Sequence, residues 1–356
     1  MIPPSLVPKC LGEEFEMNQH YLMVRRPAWD LVQHMKTLAA KQPGNIAGSS
    51  IGIHGPRGVG KSAAVFYCTE YAFSNGWLVI AAAGREFPND LVGLLEPSKH
   101  PDRSAKGIFD QPGFTSNFMG KLIIHQEDLL KQVILKNQNY DYEWTPKPRE
   151  GEAEEDHVWL EYDEGASKTL FDMARLAQHD ITQAPSILYD FVEELKQITE
   201  YELLFLIFRF CLLSRFKVPL FSCDCRIPVL IAFDEINMWD NSSPFPDPAN
   251  PKVDLPSDRL AMVDAFKCFN TQGPSNGVAV FSSTWACSQR TVQKRLAEAT
   301  FAVDVKRYDN REMKQAVTHY DASGMLARKL DPFLLAHFKG LTGGVGRDVL
   351  ELGWLV

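Results

Sequence analysis

Eight residues constrain this chain more than any others: Gly55-Pro56-Arg57-Gly58-Val59-Gly60-Lys61-Ser62 fits the pattern G-x-x-x-x-G-K-[ST] in full. The octet follows a short apolar run, Ser50-Ile51-Gly52-Ile53-His54, and opens a helical stretch over residues 63–73. Strand, glycine-rich turn and helix in that order make a cradle for phosphate. The glycines let backbone N–H groups turn inward around phosphate oxygens, and the helix N-terminus adds its partial positive charge. Gly55, Gly58, Val59 and Gly60 supply the loop, Lys61 reaches the β- and γ-phosphates, and the Ser62 hydroxyl can sit on Mg²⁺. A cradle of this kind needs an α/β frame around it.

The rest of the chain supplies one. Trp77-Leu78-Val79-Ile80-Ala81, Val229-Leu230-Ile231-Ala232-Phe233 and Val278-Ala279-Val280-Phe281-Ser282 are short apolar runs without polar alternation. Strands of that character belong to a parallel sheet covered by helices on both faces. The expected architecture is therefore α/β, a P-loop fold with an AAA-like parallel sheet. Residues 1–47 read as an N-terminal arm and helix, the arm non-periodic and the helix from about residue 28 to 40. Residues 48–305 read as the P-loop core, with a last strand around 301–306. Residues 306–356, with helical patterns at 311–320, 332–339 and 346–353, read as a small C-terminal helical lid. Two stretches interrupt the core. Residues 150–164 hold eight acidic side chains and no Lys or Arg, between Pro146, Pro148 and the next helical pattern, so a solvated acidic insertion is expected near 146–165. Residues 243–257 carry Pro244, Pro246, Pro248, Pro251 and Pro256, which argues for a long Pro-rich surface loop that contacts a partner.

Composition bounds the function. With 45% hydrophobic and 23% charged residues, the chain is neither disordered nor fibrous. Its 45 acidic against 37 basic side chains leave a net charge of −8, the wrong sign for coating a phosphate backbone, so nucleic-acid contact should be local. Seven scattered cysteines suit a reducing interior, and the lone Cys223-x-Cys225 pair lacks a second pair at zinc spacing. Residues 203–213, the most apolar run, are about half the roughly 20 residues of a membrane span and contain Arg209, so no span is expected. Met1-Ile2-Pro3-Pro4 resembles neither a signal peptide nor an Arg-rich presequence.

A phosphate loop needs a metal-holding acid at the end of a second buried strand, and Asp234 follows Val229–Phe233. Glu235 is placed to orient an attacking water, or else to cap a helix or pair with a cation. The run Ser282-Ser283-Thr284 ends the next strand, where a hydroxyl such as that of Ser283 could sense the γ-phosphate. Leu341-Thr342-Gly343-Gly344-Val345-Gly346-Arg347-Asp348 looks like a turn that starts a lid helix and aims Arg347 back at the nucleotide. No N-K-x-D segment follows a strand, so guanine, if bound, is recognised by a route other than that of the small GTPases.

Three segments in order, Leu22-Met23-Val24-Arg25-Arg26-Pro27-Ala28-Trp29-Asp30-Leu31, Phe109-Asp110-Gln111-Pro112 and Ala232-Phe233-Asp234-Glu235-Ile236-Asn237, resemble the death-associated protein three family. These are nucleotide-binding proteins of the mitochondrial small ribosomal subunit, and the similarity runs from about Tyr21 to the C-terminus. The resemblance implies a P-loop fold related to AAA-like ATPases, residence in the head of the small subunit within the mitochondrial matrix, and a bound guanine nucleotide. It implies further that Met23 to Pro27 line the base pocket while Gly58 to Ser62 hold phosphate. Members of that family carry glycine where this chain has Glu235, so a fuller hydrolytic apparatus is possible here. The acidic stretch is also longer than the family leads one to expect.

The expected function is accordingly a mitochondrial small-subunit component. It would bind GTP or GDP (alternatively ATP or ADP) with Mg²⁺, mainly for structure, and contact mitochondrial ribosomal proteins and small-subunit rRNA. The alternative is an AAA- or STAND-like NTPase switch with Glu235 as the catalytic carboxylate; the sequence marks no certain arginine finger, though Arg290, Arg295 and Arg307 are available, so turnover by the chain alone should be slow. A small-molecule kinase would need an arginine-rich lid and a second substrate pocket, and nothing in the sequence marks either.

Overall fold

The structure, a computed structural model, describes residues 23–40, 49–89, 95–144, 167–197, 227–283, 299–326 and 329–355. The opening arm, the acidic stretch 150–164, the run 203–213, Cys223, Cys225, Thr284, Arg290 and Arg295 lie outside the described residues. The first half of the chain contains α1 (Arg26–Ala40), β1 (Ser49–His54), α2 (Lys61–Ser74), β2 (Leu78–Ala83), α3 (Glu86–Asn89), β3 (Glu96–Pro97), α4 (Pro101–Ala105), β4 (Phe109–Asp110) and α5 (Pro112–Gln132). Then come α6 (Leu170–His179), α7 (Ala184–Gln197), β5 (Val229–Asp234), β6 (Ser242–Asp247), β7 (Asn250–Pro256), α8 (Ala261–Phe266) and β8 (Gly277–Ser282). The chain closes with β9 (Phe301–Asp304), α9 (Asn310–Ala322), α10 (Pro332–Thr342) and α11 (Gly346–Leu355).

Five strands form one parallel sheet in the order β2-β5-β8-β1-β9. The period-2 alternation of a strand sends its apolar residues to both faces, and both are covered. Val79, Leu230, Ala232, Val278, Val280, Ile51 and Ile53 share one core with Leu31 and Met35 of α1 and Val65 and Cys68 of α2. Leu78, Ile80, Ile231, Phe233, Ala279 and Phe281 share the other with α5 to α8. Among the described residues β2 is an edge strand, and α5 shields it in an unusual way. At the non-helical residue Gln126 the side-chain amide donates to Val79 O and accepts from Val79 N–H, both at 2.5 Å, standing in for a neighbouring strand.

The third core is smaller and C-terminal: Met313, Ala316, Val317, Tyr320, Leu334, Phe338 and Val349 pack together, with Met23 and Tyr308 against them. Capping boxes and caps start two of its helices, Asp309 with Glu312 on α9 and Asp331 on α10.

The Pro-rich stretch 243–257 is not a loop. It forms the antiparallel hairpin β6-β7, mostly exposed, with Ser242 opposite Pro256, Pro246 opposite Asp254 and Asp247 opposite Asn250. Proline forbids a strand only where its own N–H is needed, and a two-stranded ribbon with two register shifts has enough positions where it is not. Ser243 Oγ donates to Leu255 O at 2.8 Å, pinning the base of the hairpin.

Candidate nucleotide site

The loop between β1 and α2 has the backbone its sequence demands. Gly55, Gly58 and Gly60 have φ of 146°, 79° and 91°, values that side chains rarely tolerate. Space excludes side chains as well: a Cβ on Gly55 would lie 2.3 Å from Val305 O, and one on Gly58 would lie 2.8 Å from Val345 Cγ1. The loop therefore turns into the N-terminus of the 14-residue helix α2, with Lys61 as its first residue. Lys61 is buried, and its Nζ donates to Gly55 O at 2.9 Å and Pro56 O at 2.5 Å. Burial, opposed by the charges of Asp234 and Glu235, lowers its pKa to about 8. Ser62 follows, half-buried on the first turn of α2.

Across the sheet, β5 delivers Asp234, 2% exposed, to the same end as the loop. Ser282, the last residue of β8, links the acids: its Oγ donates to an Asp234 carboxylate oxygen and accepts from Glu235 N–H at 3.0 Å. Glu235 has φ 58° and ψ 42°, the left-handed region, and is the non-glycine residue with positive φ among the described residues. Its carboxylate lies 3.6 Å from Arg85 Nε. Burial, with the neighbouring Asp234 charge, raises its pKa, while Arg85, Lys61 and Arg57 pull the other way. Behind it, Gly84 N–H donates to Asp234 O at 2.5 Å and Trp239 Nε1 to Gly84 O at 2.9 Å, which fixes the strand end to the aromatic cluster of Phe87, Phe233 and Phe266.

The structure thus brings Gly55, Gly58, Val59, Gly60, Lys61, Ser62, Asp234 and Glu235 to one end of the sheet. Ser283 is buried beside them; its N–H donates to Ile53 O at 2.9 Å and its hydroxyl has no hydrogen-bond partner. Arg347 arrives differently from the expected sensor. Its backbone N–H donates to Gly58 O at 3.0 Å, while its exposed guanidinium pairs with Glu351 at 2.7 Å. Met23 packs on the C-terminal core, and Pro27 is half-buried in the first turn of α1. Arg307, the finger candidate within the described residues, is exposed.

Three contributors were not singled out by sequence reasoning. Ser282 was visible only as one hydroxyl of three, and Arg85 as an unremarkable cation after β2. Arg25 lies within the segment that carries the family resemblance, but its contacts join residues 287 positions apart, which no local pattern signals. Among the described residues no group of three His, Cys, Asp or Glu could hold a metal, so any metal here would rest on Ser62, Asp234 and the ligand's own oxygens.

A glycine loop of this shape on a helix N-terminus, opposite a buried strand-end aspartate in a parallel sheet, defines a P-loop type of α/β protein. The family model described as mitochondrial ribosomal death-associated protein 3 matches residues 22–300, and the chain belongs to that family. It is accordingly a mitochondrial ribosomal protein. No curated protein matches the sequence. Among solved structures the chain is similar to the ORC2 protein of Aeropyrum pernix, in ADPNP and ADP complexes, with 12% identity and a TM-score of 0.40 over 95% of this chain. The chain spans 64% of that protein's length, and a likeness so low carries no functional argument. No helix among the described residues is long and apolar enough to cross a membrane.

Proposed function

We propose that the chain binds a purine nucleotide with Mg²⁺ at the Gly55 to Ser62 loop and serves, with that nucleotide as a mainly structural ligand, in the mitochondrial small ribosomal subunit of the matrix. The observation that carries the reading is the preformed loop, with three positive-φ glycines, a buried Lys61 and a buried Asp234 at one sheet end. These residues fit the group. Backbone N–H groups of residues 58–62 would hold phosphate oxygens, and Lys61 would exchange the Gly55 and Pro56 carbonyls for the β- and γ-phosphates. Ser62 and Asp234 would hold Mg²⁺, which supplies charge neutralisation between the phosphates. Met23 and Pro27 would border the base. Family membership supports GTP or GDP ahead of ATP or ADP, and supports ribosomal proteins and small-subunit rRNA as partners.

A structural role is favoured over turnover by Glu235. A water-orienting carboxylate must be free to meet the attacking water, yet this one sits on a left-handed backbone with its charge engaged by Arg85. A ligand that binds only the folded state contributes about 4 kcal/mol of stability at a thousandfold excess over Kd, so a nucleotide would serve the fold without being hydrolysed. Denaturing the purified protein and identifying the released nucleotide by chromatography tests the reading, and gradient sedimentation of mitochondrial lysate tests the residence. Guanosine phosphate and co-sedimentation with the small subunit are expected. A protein that releases no nucleotide, or runs only as a free pool, contradicts it.

A further inference from the structure

The two carbonyls that the middle of the phosphate loop turns outward are both taken by distant parts of the chain. Arg347 N–H holds Gly58 O at 3.0 Å, and Arg25 Nη1 holds Val59 O at 2.6 Å. Arg25 is also the fork of a bidentate pair: Nε to Glu312 Oε1 at 2.9 Å and Nη2 to Glu312 Oε2 at 2.8 Å, with its carbon centre 4.8 Å from the centroid of the Tyr308 ring. Its side chain is 8% exposed and that of Glu312 21%. Glu312 is held in turn, because its Oε2 also accepts Asp309 N–H at 3.1 Å in the capping box that begins α9. One guanidinium therefore joins the phosphate loop, the chain entering α1, and the first turn of the C-terminal helical unit.

We infer that Arg25 is a positioning residue that couples occupancy of the phosphate loop to the seating of the C-terminal helical unit, residues 306–355; the inference rests on the nucleotide reading above. Phosphate bound by the N–H groups of the loop fixes the orientation of its peptide planes, and the plane that carries Val59 O aims that carbonyl at Arg25. A planar fork satisfies the Val59 carbonyl and both Glu312 oxygens at once only in one geometry, so fixing the carbonyl narrows the positions open to α9. Gly58 adds a second restraint in the same direction, since its Cα packs so close to Val345 and Arg347 that no side chain fits between. The ligand of the loop thereby selects one arrangement of the surface formed by α9 to α11.

Hydrogen exchange of the full chain with and without GTP and Mg²⁺, read at the amides of residues 310–353, tests this alongside direct nucleotide titration. In the wild type, nucleotide should slow exchange across α9 and α11 by about tenfold. Arg25→Ala alters the segment that borders the base and should weaken nucleotide binding, so its exchange is read at saturating nucleotide, where Lys61 and the loop amides still hold the phosphates and the nucleotide-dependent slowing should disappear. Arg25→Lys, a point charge that can serve Val59 O or Glu312 but not both, should fold as the wild type does and restore only part of the slowing. Glu312→Gln keeps an acceptor but loses the charged fork and should behave likewise, which covers the case in which Arg25→Ala fails to fold. Slowing of wild-type size in Arg25→Lys and Glu312→Gln overturns the coupling, as does an equal rise in exchange with and without nucleotide, which would mark a purely structural ion pair. A wild type that titrates with no nucleotide overturns both this inference and the reading beneath it, and the titration distinguishes that failure from the others.

Discussion

The phosphate loop and the carboxylate end of β5 face one another across the same site but are held by opposite means. The loop is contiguous in sequence, its glycines suit their dihedral angles, and its outward carbonyls are bolted by Arg25 and Arg347. The strand end is assembled from remote pieces, Arg85, Ser282 and Trp239, and it holds a glutamate where glycine would be at ease. A residue in a sparsely populated backbone region persists only where its surroundings over-determine it. Here the strained residue is paired with Arg85 and tied to Ser282, while the loop's glycines accept their angles without strain.

The largest effect should come from the relaxed half. Lys61→Ala should weaken nucleotide binding by about a hundredfold, the loss of a charge-assisted contact to phosphate, measured by titration of the purified chain. The ligand-free protein should be no less stable, since it loses a buried cation whose burial already lowers its pKa. Incorporation into the small subunit should fall. A variant that binds as the wild type does would place the phosphates elsewhere.

Next is the polar link at the strand end. Ser282→Ala removes the hydroxyl shared by Asp234 and Glu235 N–H, taking one hydrogen bond from a buried carboxylate and one from a half-buried N–H. Loss of about 2 kcal/mol of stability and about a tenfold weaker Mg²⁺-dependent affinity are expected from chemical denaturation and from titrations with and without the metal. If the affinity loss persists without Mg²⁺, Asp234 is not the metal's holder.

What could be read beforehand divides along the same line. Gly55 to Ser62, Asp234 and the alternation of five parallel strands are local patterns, in which each residue's reason lies within a turn or a strand of it. Arg85 against Glu235 and Arg25 against Glu312 are contacts across the fold, and neither partner's neighbours announce it. The hairpin β6-β7 escaped for another cause: proline content reports how many donors are missing but not which ones the ladder could spare. Arg347 shows the same limit, since its segment was expected to approach the site and does, by its backbone rather than its guanidinium.

Glu235 sharpens the contrast further. Glu235→Gly should relieve the left-handed backbone and raise stability by about 1 kcal/mol or slightly less, a shift of about 2 °C in Tm by calorimetry. Glu235→Gln keeps the backbone and should leave stability, nucleotide retention and subunit incorporation near wild type. A Glu235→Gln particle that assembles but traps triphosphate would instead make the strand end a working hydrolytic centre.

The smallest effect is a fraction of a proton at Lys61, and it tests whether the two halves meet on a phosphate. In the folded chain the Lys61 pKa is about 8 against 10.5 for the free side chain. Between those values the unfolded state binds more protons, so stability from this group rises with pH through the window, and the burial penalty is fully present below pH 8. A polyphosphate beside Lys61 supplies the opposite charge that burial denies it and raises the pKa again. Binding at a pH slightly above about 8 should therefore take up about half a proton, whereas near pH 6.5 Lys61 is charged before and after and contributes none. Titration calorimetry in two buffers of different ionisation enthalpy measures that uptake directly. Lys61→Arg, charged at every accessible pH, should abolish it even where binding survives. Equal heats in both buffers for the wild type would mean that the lysine stays on Gly55 and Pro56 when the nucleotide binds, and would detach the loop's cation from the phosphates it is placed to meet.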